Sequence, residues 1–137
     1  MSERDDRNQK IIDEFRANEG KVGGPFENVP LLLLHHRGAK TGAERINPLA
    51  YRRDGRAYVV FASKAGAPDN PDWYHNLLAH PDVTVEVGTA TVDVRAREAT
   101  GEERERLWTR QKSEYPGFAG YEERTDRQIP VIVLEPR

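Results

Sequence analysis

Hydrophobic positions along this 137-residue chain change rhythm several times, and each change marks an element. Between residues 5 and 19, Ile11, Ile12 and Phe15 recur at helical spacing among charges, which predicts a short amphipathic helix stopping at Gly20. Gly23-Gly24-Pro25 breaks the chain there. The apolar run Leu31 to Leu34 predicts a buried strand over Leu31 to His36, followed by strands over Arg45 to Asp54 and Arg56 to Ser63, with Asp54-Gly55 as the hairpin signal. Asn70-Pro71-Asp72 predicts a helix start, an Asn cap with proline at the first helical position, and the helix must stop before Pro81. That helix displays Trp73, Asn76 and Leu77 along one side.

Strict alternation comes next. Val83, Val85 and Val87, then Ala90, Val92 and Val94, alternate with polar residues about Gly88-Thr89, which predicts an antiparallel hairpin with one wet face. Thr100 with Glu103 fits a capping box and opens a helix to about Ser113. A short helical piece follows Pro116, and a last strand runs from about Ile129 to Leu134. Six short, mostly antiparallel strands with helices on the rim predict a small barrel of the α+β class. No repeat or interdomain linker interrupts it, so residues 1–137 are read as one domain, with 1–24 its N-terminal helix and linker.

Composition narrows the function classes. With 36% hydrophobic and 32% charged residues the chain reads as a soluble protein able to bury a core. A net charge of -2 gives no global basic face and argues against a nucleic-acid partner, so any cationic site is local. The absence of cysteine excludes disulfides and thiolate chemistry, and the polar start lacks a signal peptide, which makes the cytoplasm the expected location. Weak peripheral contact with a membrane is the most that the sparse apolar face of the first helix suggests. Between monomer and homodimer the sequence does not choose.

The candidate chemistry starts in the loop Gly38-Ala39-Lys40-Thr41-Gly42-Ala43-Glu44-Arg45, basic and glycine-flanked between two strands, which has the makings of an anion grip. It is not a P-loop: Leu34 and Ala39 stand where that motif needs glycine, and strand rather than helix follows. No Gly-x-Ser-x-Gly elbow occurs. His35 and His36 point to opposite faces of a strand, and neither His75 nor His80 completes a metal-ligand spacing, so no metal is expected and the histidines read as surface or partly buried.

Lys40-Thr41-Gly42, Arg45, Asn47-Pro48-Leu49, the block Ala62-Ser63-Lys64-Ala65-Gly66, then Asn70 to Leu77, Ala79-His80-Pro81 and Thr125 to Pro130 together resemble the deazaflavin-dependent nitroreductase family. The resemblance covers roughly Leu31 to the C terminus. It implies a split β-barrel that holds coenzyme F420, a planar deazaflavin carrying a phosphodiester and a glutamate-rich tail. By resemblance Lys40, Arg45 and Lys64 contact phosphate and tail, Thr41, Gly42 and Pro48 shape the loop, and Ala62, Ser63, Trp73 and Asn76 hold the ring end. Relatives can carry a second basic residue where this chain has Ala39.

Tyr115, Phe118 and Tyr121 recur at intervals of three, a spacing that suits a core stripe and a pocket wall equally. In the resembling family this region caps the substrate side, which makes all three candidate substrate contacts and Ser63, Tyr115 and Tyr121 candidate catalytic groups. The implied activity is hydride transfer from C5 of reduced F420 to a small electrophilic acceptor such as a quinone, nitro-aromatic or activated enone. The protein mainly positions, since the cofactor carries the chemistry. An FMN-dependent split-barrel oxidoreductase and a non-catalytic F420 carrier are the two alternatives.

Overall fold

The computed structural model describes residues 3–23, 30–63 and 70–137, with residues 3–7 described by backbone only. Strands β1 (Leu31–Arg37), β2 (Glu44–Asp54), β3 (Ala57–Phe61), β4 (Asp82–Val87), β5 (Ala90–Glu98) and β6 (Val131–Pro136) close in the order β1-β2-β3-β6-β5-β4. Every neighbouring pair is antiparallel. Among the described residues four helices flank the barrel: α1 (Glu3–Ala17), α2 (Asp72–Ala79), α3 (Gly101–Glu114) and α4 (Gly117–Glu123). This is the α+β barrel that the alternation predicts.

The continuous apolar run of β1 has a simple cause: both of its faces are covered. Leu32 and Leu34 point inward and pack with Val60, Val85, Val94 and Leu134, and α2 adds Trp73 and Leu77 to that interior. Leu31 and Leu33 point outward, beneath Ile12 and Phe15 of α1. Across the barrel, Val59, Phe61, Val131 and Val133 face outward under Leu107 and Trp108 of α3. Side-chain period 2 thus divides each of these strands between the barrel interior and a helix.

The docking of α1 is reinforced at its C-terminal end. Arg16 forks onto Glu86 of β4 at 3.2 and 2.7 Å, and Gly20, at φ 94°, approaches the β4–β5 turn so closely that a Cβ there would lie 2.7 Å from Gly88 Cα. The described apolar side chains of α1 pack toward the barrel, which leaves weak peripheral membrane contact without structural support. Among the described residues no helix is long and apolar enough to cross a membrane.

Two expected helix caps take other partners. Asn70 accepts a hydrogen bond from Arg127 at 2.8 Å, and α2 starts at Asp72 after Pro71 with no side-chain cap. Glu103 binds the Arg97 guanidinium at 2.6 and 2.8 Å, so Thr100 precedes α3 without the reciprocal box. In both cases a charge-assisted bond to arginine outcompetes a neutral cap. Tyr74 donates its hydroxyl to Glu98, tying α2 to β5, and burial together with that bond pushes the phenol up to about 12.

Because Phe15 is fully buried between α1 and β1, Phe15→Ala is expected to lower stability by about 3 kcal/mol. Urea unfolding measures the loss, and a change below about 1 kcal/mol would mean that α1 is not seated as described.

Candidate active site

The loop that joins β1 to β2 is closed by its own backbone. Gly38 N–H donates to Ala43 C=O at 2.9 Å, and Gly42 N–H returns to Gly38 C=O at 2.8 Å. Thr41 Oγ1 accepts the Ala43 N–H at 3.2 Å. Gly42 sits at φ 70°, where glycine costs least, and a Cβ on Gly38 would lie 2.7 Å from Thr41 Oγ1. The sequence Gly-Ala-Lys-Thr-Gly therefore fixes a turn that leaves Lys40 exposed at its tip.

A buried polar relay anchors this turn to the barrel. Asn76 Oδ1 accepts the Ala39 N–H at 2.9 Å, and its amide nitrogen faces His36 Nδ1 at 3.0 Å. His36 Nε2 lies 2.6 Å from Asn47 Oδ1. With Asn76 oriented by Ala39, Nδ1 must accept and the ring proton must sit on Nε2, donating to Asn47. His36 is only 2% exposed. Burial pushes its imidazole below the ordinary value, the Arg45 charge adds to that, and the Asn47 bond and Asp72 oppose it.

Two cavities meet at this relay. One, of about 390 Å³, is lined by Gly38 to Thr41, Arg45, Asp72, His75 and Asn76. The other, of about 560 Å³, lies against α1 and is lined by Asn8, Gln9, Ile12, His36, Arg45 to Asn47 and Pro71 to Trp73. Arg45 and Asp72 belong to both. Along the same stretch β2 has β1 on one side, while β3 pairs only with Tyr51 to Asp54. Residues 44–50 thus present a strand edge with no described strand partner, and Pro48 on it offers no N–H.

The structure brings together Lys40, Thr41, Gly42, Arg45, Trp73 and Asn76 of the expected site, and sets the Asn76 side chain to holding the loop. Backbone groups of Ala62 and Ser63 are already engaged: Ala62 N–H donates to Pro130 C=O, and the carbonyls of Ala62 and Ser63 accept from Arg127 at 3.0 and 2.6 Å. Lys64, with Ala65 and Gly66, lies outside the described residues. Phe118 packs edge-on against Phe61 and Trp108 at 5.9 and 6.1 Å, with Tyr115 and Tyr121 on either side at 6.5 and 5.3 Å. The core-stripe reading thus holds for Phe118, and none of the three aromatics lines the two cavities above.

His36, Asn47, Asp72, Arg127 and the α1 residues Asn8, Gln9 and Ile12 are additions that the sequence reading did not select. A signal for His36 was present: it continues the inward alternation of Leu32 and Leu34.

Folded His36 takes up its proton at lower pH than an unfolded histidine, which titrates at about 6.5. As pH falls through that value the unfolded chain takes up a proton that the folded chain refuses, so stability present above it is progressively lost on acidification. The urea midpoint of the wild type is expected to fall more between pH 7.5 and pH 5 than that of His36→Asn, which does not titrate there. Parallel curves would show that folding does not lower the pH at which His36 takes up its proton.

Residues 7–136 match the family described as F420H(2)-dependent quinone reductase. An F420H(2)-dependent quinone reductase of Mycobacterium tuberculosis strain H37Rv is 41% identical over 127 residues, covering 90% of this chain and 85% of that protein. A solved F420-H2 dependent reductase superposes with a TM-score of 0.70 at 42% identity, covering 77% of this chain and 94% of its own. A second solved relative, a domain-swapped dimer, gives 0.72 at 37% identity over 98% of this chain and all of its own. The chain belongs to the F420H(2)-dependent quinone reductase family.

Proposed function

We propose that Lys40, Thr41 and Arg45 hold the anionic end of F420 in the smaller cavity, and that its planar end lies in the larger one against Trp73 and the open edge of β2. As a family member the chain is an F420H2-dependent oxidoreductase acting on quinones. The observation that carries the placement is the position of Arg45, which lines both cavities. Among the described residues neither Lys40 nor Arg45 has an ion-pair partner, whereas Arg16, Arg52, Arg97 and Arg106 are all paired. Lysine supplies a mobile point charge and arginine a planar fork, a donor set that suits phosphate and carboxylate oxygens. Cavities of this size are also in the range of small-molecule sites.

When bound, the reduced cofactor supplies a hydride from C5, and a quinone that takes it up together with one proton leaves as hydroquinone. The chain's residues orient the partners and keep water out. Pro48 and Gly42 shape the wall, and Lys64 adds charge from the segment after β3. Ala62 and Ser63 border the ring end, held by Arg127. Phe118 reaches Phe61, two residues before Ser63, so α4 stands beside that segment. On this reading the acceptor extends beyond the larger cavity toward α4, where Tyr115 and Tyr121 flank it with Phe118 as the apolar floor, and Ser63, Tyr115 or Tyr121 delivers the proton.

Mixing the protein with reduced F420 and a menadione-like quinone is expected to speed cofactor oxidation well above the uncatalysed rate. No acceleration with F420 bound would favour a carrier, and tight binding of FMN with none of F420 would overturn the cofactor assignment. Lys40→Ala and Arg45→Ala are each expected to weaken F420 binding about tenfold at low salt and less at high salt, since exposed ionic contacts are screened. Unchanged affinity in both variants would move the anionic end elsewhere.

A further inference from the structure

The geometry points to His36 as a positioning residue for the anion-binding loop, acting through Asn76 on the Ala39 N–H. The inference rests on the cofactor placement proposed above, but its mechanical part belongs to the chain alone. Ala39 is the residue before Lys40, and among the described hydrogen bonds its N–H is the link that ties the tip of the β1–β2 turn to α2. The two backbone bonds that close the turn, Gly38 to Ala43 and Gly42 to Gly38, fix its curvature but lie within the loop. They do not set its tilt against the barrel.

That tilt depends on which way the Asn76 amide faces. An asparagine amide can turn over at little cost unless its surroundings distinguish oxygen from nitrogen. Here His36 makes the distinction: its Nδ1, 3.0 Å from Asn76 Nδ2, presents a lone pair, so nitrogen must face the ring and oxygen must face Ala39. Asn47 Oδ1, 2.6 Å from Nε2, holds the proton on the far side of the ring. Both His36 and Asn76 are buried, at 2% and 6% exposure, so water does not easily substitute for a lost partner. Asn47 sits on β2 and Asn76 on α2, so the relay joins three elements around the place where Lys40 and Arg45 converge.

The two ends of the imidazole can be tested separately. In His36→Asn the side-chain oxygen falls near the Nδ1 position and continues to accept from Asn76. In His36→Gln the amide reaches the Nε2 position and leaves a methylene facing Asn76. Hydrogen exchange of the cofactor-free protein is expected to show Ala39 as protected in His36→Asn as in the wild type, and markedly faster in His36→Gln. With F420H2 and quinone, His36→Gln is expected to raise the KM for the cofactor about tenfold with kcat little changed, the effect of one lost buried hydrogen bond on loop placement. His36→Asn, which keeps the acceptor toward Asn76, is expected to raise the KM less than His36→Gln.

Equal behaviour of the two variants, or unchanged Ala39 exchange in His36→Gln, would overturn the inference. If His36→Gln does not fold by circular dichroism, Asn76→Ala removes the Ala39 acceptor directly, and unchanged exchange there is equally decisive. Failure of the wild type to bind F420 would sink the cofactor placement while the exchange comparison still reads the relay.

Discussion

The two-sided burial of β1 is the constraint on which the rest depends. A strand covered by α1 on one face and by the barrel interior on the other is held in register by the residues that follow its leucines, because a shift of one residue would only exchange leucine for leucine but would turn buried His36 outward and His35 inward. That locked register delivers His36 to the interior and His35 to the outside. It also starts the β1–β2 turn at a fixed height. The loop that we propose as the anion site is therefore positioned by apolar packing, although its proposed contact residues are charged.

The chain separates its charges into two populations. Most of its described arginines close ion pairs over the barrel wall, such as Arg52 with Glu114, Arg97 with Glu103 and Glu135, and Arg106 with Asp54. These are mostly exposed pairs that contribute little each to stability. Lys40, at the tip of the β1–β2 turn, and Arg45, at the start of β2, are among the cations that have no ion-pair partner among the described residues.

Much of this was legible in the sequence. The alternation about Gly88-Thr89 and the Asp54-Gly55 signal located two hairpins because turn chemistry and period 2 are local properties. Six strands and the rim helices followed among the described residues, with bounds that agree or differ by up to three residues. The side-chain caps expected at Asn70 and Thr100 do not form, since Arg127 binds Asn70 and Arg97 binds Glu103, the partners that local rules would use for capping. The relay of Asn47, His36 and Asn76 was illegible for a related reason: its members lie 11 and 40 residues apart and meet only when the barrel closes. Ala39, which stands where relatives can carry a base, contributes through its backbone rather than its side chain.

Pro48 gains a second meaning from the topology. A strand edge with no strand beside it is a template on which another chain can pair, and soluble proteins blunt such edges. Among the described residues, 44–50 form such an edge on the side away from β1, and proline at 48 removes one of the donors that an intruding strand would need. The missing N–H thus makes this side of the barrel a poorer template for self-association.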